Sequence, residues 1–343
     1  MKDVLFFTSP IGLGHASRDI AIASKLELGI TFVSGEGATK LINDYGFKVE
    51  DLYRYDGFEV DEHGELKHAL RWLMNYWSYY KKCKVIAEGV VREDKPELII
   101  SDEDFASIAV AQELGIPNVI ITDILRTRFT NGPMSFIENR MNKNMTKMID
   151  NSNLVIVPKE GQDRDNISYV GPIVRDVNSG RESLRQRFGF SRKTILVTIG
   201  GTDSGRFLVD KVVETYSKIK DALDADMIVV SEPSSKIDSR TEGIKYIGYT
   251  TNLHEMIYAC DLLISLAGRS TIDEATAYGT PGIFIPIKNH FEQEENAKQY
   301  GFRFEDIRRL EDLIVEKLAE KRSEIVIRNG ASTASSLILN LLT

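Results

Sequence analysis

Two cysteines, Cys83 and Cys260, are all that the 343 residues contain. So few, so far apart, form neither a disulfide framework nor a zinc-ligand spacing, and both are expected to be reduced and partly buried. A run of about 18 apolar residues is also lacking, so no helix is expected to span a membrane. The opening Met1-Lys2-Asp3-Val4-Leu5-Phe6-Phe7 stops after a few apolar positions and meets a glycine loop, which reads as a first strand rather than a signal peptide. A cytoplasmic location is the resulting expectation. There is no basic excess either: 43 Lys and Arg against 51 Asp and Glu leave a formal charge of −8, the opposite of a nucleic-acid footprint. Internal repeats and low-complexity tracts are missing, which excludes a solenoid.

What is present is a soluble, globular composition, 42% apolar and 27% charged. A single core stops growing at roughly 250 to 300 residues, so a chain of this length predicts two domains. Short apolar runs at Val4 to Thr8, Ile30 to Ser34, Glu97 to Ser101, Asn118 to Thr122 and Leu154 to Pro158 alternate with helical spacing. After a Gly171-Pro172 break the alternation restarts, with strands expected at Thr194 to Ile199, Met227 to Ser231, Ile244 to Ile247, Leu262 to Leu266 and Gly282 to Ile285. Buried strands separated by helices predict a doubly wound α/β fold in each half. Expected boundaries are 1–170 for a first Rossmann-like domain, 171–322 for a second, and 323–343 for a C-terminal helix that packs back on the first. The long pattern from Lys67 to Glu93 predicts a helix whose buried stripe is Leu70, Leu73, Met74, Trp77 and Tyr80. In the last segment the stripe is Leu337, Ile338, Leu341 and Leu342.

Ligands of open α/β sheets sit beyond the carboxyl ends of the strands, and both series open with a glycine loop there. In the first, Gly12-Leu13-Gly14-His15 lacks the third glycine of a dinucleotide fingerprint, because Ser17 occupies it, and no acidic residue ends the second strand. His15, at a helix start, is suited to abstract a proton from a hydroxyl, weighed against a plain capping role. The positive helix end is expected to keep it neutral. In the second, Gly200-Gly201-Thr202 follows the first strand of the restart. A third loop, Gly268-Arg269-Ser270-Thr271, follows the strand Leu262 to Leu266 and opens a helix, aiming backbone N–H groups at an anion such as a diphosphate. Glu274, one turn on, is placed to accept hydrogen bonds from a ribose diol. His63 and His68 read as solvated, and His254, behind Thr251-Asn252, as structural.

The Gly-x-Gly-His loop, the Gly-Gly-Thr restart, Gly268-x-Ser270-Thr271-x-x-Glu274 and Gln293-x-x-Asn296-Ala297 occur in this order, and together they resemble GT-B glycosyltransferases. The likeness is greatest to the branch of the bacterial peptidoglycan lipid-intermediate N-acetylglucosaminyltransferase and its archaeal relatives, and it covers nearly the whole chain. It implies a GT-B fold, two doubly wound Rossmann-like domains facing across a cleft. It also implies an inverting transfer from a nucleotide diphosphate sugar, UDP-linked by family likeness, to a hydroxyl acceptor such as a glycan or lipid. Carried over by residue, His15 is the base; Gly200, Gly201, Thr202, Gly268, Arg269, Ser270 and Thr271 cradle the diphosphate. Ile247 and Tyr249 flank the nucleotide base, Glu274 binds the ribose, and His290, Glu292 and Gln293 meet the donor sugar. Gly12, Gly14 and Asp102 lie on the acceptor side. Two features depart from the family pattern: Glu292-Gln293 stands where the peptidoglycan enzyme has two glutamines, and Arg269 where the family often has a small residue. Arg269 is read as a counter-ion to the diphosphate, with a solvent-facing arginine as the alternative.

Ser101-Asp102-Glu103-Asp104 carries an Asp-x-Asp pattern at a strand end, weighed between a divalent-metal site and a polar strand exit. The second is preferred, so neither a metal nor another cofactor is expected. Arg126 to Met148 leads into a helix with Arg140, Met141, Lys143, Met145, Lys147 and Met148, which either docks on an anionic membrane face or buries its methionines in the core. Two rival functions share the expected architecture: a nucleotide-sugar hydrolase, and a non-catalytic scaffold that binds the donor.

Overall fold

The computed structural model describes residues 3–55, 59–67, 69–128, 135–200, 203–231, 242–323 and 329–342. They divide into two compact units. The first comprises Met1–Gly57, His68–Val174 and Arg328–Thr343, and the second comprises Phe58–Lys67 and Arg175–Ile327.

Unit 1 runs β1 (Asp3–Thr8), α1 (Gly14–Ala23), β2 (Gly29–Ser34), α2 (Glu36–Asp44), β3 (Lys48–Asp51), α3 (Ala69–Asp94), β4 (Leu98–Asp102), α4 (Phe105–Leu114), β5 (Asn118–Ile121), α5 (Ser135–Asp150), β6 (Leu154–Val157) and β7 (Ile167–Tyr169). Its seven strands are ordered β3-β2-β1-β4-β5-β6-β7, and every pairing is parallel. Strand side chains alternate between faces, so β1 sends Val4 and Phe6 into one core with α1 and Leu5 and Phe7 into another with α3 and α4.

Unit 2 runs α6 (Arg181–Phe188), β8 (Lys193–Thr198), α7 (Arg206–Ile219), β9 (Ala225–Val230), β10 (Ile244–Ile247), α8 (Leu253–Ala259), β11 (Leu262–Leu266), α9 (Arg269–Ala277), β12 (Gly282–Ile285), α10 (Phe291–Gln299) and α11 (Leu310–Ala319). Its strands are ordered β10-β9-β8-β11-β12, again all parallel. The last helix, α12 (Gly330–Asn340), returns to unit 1. Two parallel-sheet α/β units are therefore observed.

Two helix faces differ from expectation. On α3, Trp77 is 55% exposed with the Lys81 ammonium 3.4 Å from its ring centroid, while Cys83, Ala87 and Val91 form the buried stripe. Small side chains let the helix lie close on the sheet, whereas an indole there would hold it off. The side chains of Leu70, Leu73 and Met74 lie outside the described set. On α12 the buried side chains are Ala331, Ala334, Ser335 and Ile338, with Leu337 and Leu342 partly buried against the same core, and of the expected stripe Leu341 alone is exposed, at 36%. Ser335 Oγ lies 2.8 Å from the Ala331 carbonyl and 3.1 Å from that of Ile22, within hydrogen-bonding reach of both, so small residues join the expected stripe in the contact with α1. Both cysteines are buried free thiols.

Candidate active site

In each sheet one pair of adjacent strands sends its connections in opposite directions, opening a crevice at their carboxyl ends. In unit 1 the pair is β1 and β4, which are in register at Thr8 and Asp102. Gly12, at φ +79°, turns the chain after β1, and Gly14 begins α1 with His15 in its first turn. Asp102 is fully buried at the end of β4.

The structure brings these together. His15 Nδ1 lies 3.1 Å from Asp102 Oδ1 and 3.2 Å from Arg18 Nη2. A carboxylate only accepts, so the Asp102 contact calls for a hydrogen on His15 Nδ1, whereas arginine only donates and its contact calls for a lone pair there; with the hydrogen on Nδ1 facing Asp102, Nε2 is the basic nitrogen. Arg18, one turn along α1 and 4% exposed, donates through both Nε and Nη2 to Asp102. Burial works to raise the Asp102 carboxyl, but Arg18 and His15 hold it well below the usual range. Asp19, on the same helix turn, is pushed well above its ordinary value by burial and by the charge of Asp102, and accepts from Thr8 Oγ1 at 2.7 Å.

Glu103 has a left-handed backbone, φ +54°, and its Oε2 is 3.8 Å from His15 Nε2. Burial, with Asp123 nearby, raises its carboxyl, while burial of Asp123 is overcome by Arg18, which brings it down to about 2. Asp104 instead caps α4, accepting from the N–H groups of Ala106 and Ser107, and accepts from Tyr53 Oη at 2.8 Å. The three consecutive acids thus serve three different sets of partners. Sequence reading missed Arg18, Asp19 and Glu103; the signal for Arg18 was its place one turn beyond His15.

In unit 2 the diverging pair is β8 and β11. Gly200, at φ +76°, follows β8, while Gly201 and Thr202 lie outside the described residues. Gly268 is the N-cap of α9 and offers no capping side chain, and the first turn, Arg269-Ser270-Thr271, carries no acid. A helix start without a capping side chain or an acid favours an anion. Ser270 and Thr271 are half-buried. Arg269 does not point into solvent: its Nε lies 2.9 Å from Asp273 Oδ1 and its Nη1 donates to Gln299 at 3.4 Å. A buried aspartate therefore balances its charge.

Glu274 is 4% exposed, one turn into α9, and Arg175 holds it, with Nε and Nη2 at 3.0 and 2.9 Å from Oε1. Arg175 is itself anchored where Tyr278 Oη donates to its carbonyl at 2.7 Å. Sequence reading gave Arg175 no role, although a single arginine closing the apolar Val170–Val174 stretch marks a buried charge in need of a partner. Ile247 is half-buried and Tyr249 is 42% exposed beyond β10.

His290 caps α10, its Nδ1 accepting from the Gln293 N–H at 3.5 Å, and burial lowers its pKa to about 4, so the imidazole is neutral. Gln293 Oε1 accepts from the Ile287 N–H at 3.0 Å, and Asn296 Nδ2 donates to the Ala267 carbonyl at 3.3 Å, tying α10 to the loop that opens α9. Glu292 is half-buried. His254, also buried, is lowered to about 3 by burial and by Arg175, in line with a structural part.

Residues 194–335, from β8 to within α12, match the glycosyltransferase family 28 C-terminal domain. That segment is therefore of glycosyltransferase family 28 type, and the two parallel-sheet units have the fold of GT-B glycosyltransferases. An uncharacterized glycosyltransferase of Methanopyrus kandleri is 27% identical over 223 residues, 61% of this chain and 62% of that relative, so the match spans less than two thirds of the relative's length. The UDP-N-acetylglucosamine–N-acetylmuramyl-(pentapeptide) pyrophosphoryl-undecaprenol N-acetylglucosamine transferase of Desulforamulus reducens is 22% identical over 284 residues, 76% of this chain and 68% of that one. Among solved structures, the glycotransferase of kitacinnamycin superposes with a TM-score of 0.66 at 13% identity, covering 98% of both chains, which shows a shared GT-B fold. The matched segment holds Gly200, the α9 N-terminus, Glu274 and the α10 cap, whereas His15 and Asp102 precede it.

Proposed function

We propose that the chain is an inverting, metal-independent transferase that moves a sugar from a UDP-linked donor to a hydroxyl acceptor. The observation that carries the reading is the uncapped N-terminus of α9 at the diverging strands of unit 2, with buried Glu274 one turn behind it. First-turn N–H groups would meet the diphosphate, joined by the glycine loop after β8, and Glu274 would accept from the ribose hydroxyls. His290, Glu292 and Gln293 would face the donor sugar, with Ile247 and Tyr249 beside the base.

On the acceptor side, His15 Nε2 takes the proton of the acceptor hydroxyl while Asp102 keeps the other nitrogen protonated. The acceptor oxygen then bonds to the anomeric carbon from the face opposite the diphosphate, whose bond to that carbon breaks. The leaving charge passes to UDP, and the anomeric configuration inverts. Exposed Phe136, Arg140, Lys143 and Lys147 on α5 suit an acceptor presented at the inner membrane surface, such as a lipid-linked glycan.

Calorimetric titration with UDP, GDP and dTDP tests the donor half. UDP is expected to bind selectively, and Glu274→Ala to weaken it by on the order of 2 kcal/mol. His15→Ala should leave that binding intact and lower kcat by about 100- to 10,000-fold, with wild-type turnover unchanged in EDTA. Absence of nucleotide binding would sink the reading; release of free sugar in the absence of any acceptor would replace it with hydrolysis.

A further inference from the structure

Residues 59–67 lie in sequence between β3 and α3 of unit 1, yet they pack in unit 2. Val60 and Leu66 form an antiparallel bridge, and Asp61 closes the turn by accepting from the N–H groups of His63, at 3.0 Å, and Glu65, at 2.9 Å. This hairpin lies along the segment that leads into α10. The Leu66 N–H donates to the Lys288 carbonyl and the Lys288 N–H to the Gly64 carbonyl, both at 2.9 Å. Asn289 Nδ2 donates to Glu65 Oε1 at 2.9 Å, and Lys288 Nζ stands 3.8 Å from Glu65 Oε2.

Asn289 is held at φ +66°, a left-handed conformation that asparagine tolerates better than most residues. Its N–H donates to Glu294 Oε1 at 2.9 Å, so the Glu65 contact fixes the residue that immediately precedes the His290 cap. The tip of the hairpin meets the helix that follows the glycine loop after β8. Gly64, at φ +78°, leaves no room for a side chain, because a Cβ there would fall 2.6 Å from Cε2 of Phe207. Phe207 is the second residue of α7, the helix that follows the loop after β8.

We infer that the 59–67 hairpin is a positioning element of the donor site, in which Glu65, acting through Asn289, sets the sugar-reading end of α10. A segment from the first half of the sequence thereby tunes which sugar the second half accepts. The inference rests on the reading of His290, Glu292 and Gln293 as donor-sugar contacts.

The test uses the full chain and the ratio of dissociation constants for UDP and for UDP-N-acetylglucosamine, UDP-glucose and UDP-galactose. Glu65→Ala is expected to weaken the preferred UDP-sugar by about threefold to tenfold with UDP itself unchanged, and Glu65→Gln, which keeps an acceptor for Asn289, to restore it. The Asn289→Gly and Glu65→Ala effects should not add, since glycine keeps the left-handed backbone and both changes remove the same contact. Gly64→Ala, which must displace Phe207, should weaken UDP and UDP-sugar alike. An unchanged ratio in Glu65→Ala, where Gln293→Ala collapses it, overturns the hairpin's role and leaves the donor-sugar reading standing. If no UDP-sugar differs from UDP, or Gln293→Ala changes nothing, the donor-sugar reading fails and the hairpin's role falls with it.

Discussion

Arg175 and Glu274 are 6% and 4% exposed, and each charge helps to make the other tolerable there. The expected consequence is an asymmetry between deletions. Arg175→Met leaves a buried carboxylate without its guanidinium and should cost on the order of 3 kcal/mol in urea unfolding, whereas Arg175→Met combined with Glu274→Gln should recover part of that loss. A double variant as unstable as the sum of its parts would show that the pair is not a coupled unit. The pairing also explains what was legible residue by residue. His15, Gly268, Glu274 and Gln293 stand in short motifs whose chemistry follows from local geometry. Arg18 and Arg175 could be read in the sequence, but their partners Asp102 and Glu274 lie 84 and 99 positions away, and only folding brings them together.

At the scale of elements, the ten expected strands are all present, most of them because a strand buried on both faces is a nearly continuous apolar run; β10, an edge strand interrupted by exposed Lys245, still carries Ile244, Tyr246 and Ile247. Two others escaped notice. Lys48–Asp51 is an edge strand with two charged ends and no fully buried residue, and Ile167–Tyr169 is only three residues long at the opposite edge. These two edge strands are short or charged as well as half solvated, so they carry less apolar signal than the edge strands β10 and β12 of unit 2.

The cap of α10 yields a pH prediction. His290 accepts a hydrogen bond through Nδ1 and is held neutral by burial, with its pKa lowered to about 4 from an ordinary 6.5. Between these values the unfolded chain binds the proton and the folded one does not, so stability rises with pH. The contribution is complete above about pH 6.5 and is lost as pH falls toward 4, on the order of 3 kcal/mol in all. His290→Asn retains a capping acceptor without a titrating group and should flatten this part of the stability-against-pH curve. An unaltered slope in the variant would refute the assignment, with His254→Phe as the control for the second buried imidazole.

For the molecule as a whole, a formal charge of −8 argues against binding to an anionic surface, yet one helix face opposes that balance. On α5, Met145 and Ile149 are core residues, so the methionines belong inward, while Arg140, Lys143 and Lys147 are exposed together with Phe136, 66% exposed at the same helical spacing. Charges separated by more than a Debye length, about 8 Å at physiological salt, are screened, so the local stripe outweighs the distant acids at a surface it touches. Each basic residue contributes roughly 1 kcal/mol at an anionic leaflet, which predicts about 3 kcal/mol from the three, with Phe136 adding apolar insertion. The chain should therefore sediment with vesicles containing anionic lipid and not with neutral ones, and release as salt rises. Lys143→Glu with Lys147→Glu should abolish sedimentation, and Phe136→Ser should weaken it, both without change in UDP binding. Equal partition onto neutral vesicles, or indifference to the charge reversals, would remove the membrane from the proposed reaction and leave a soluble acceptor in its place.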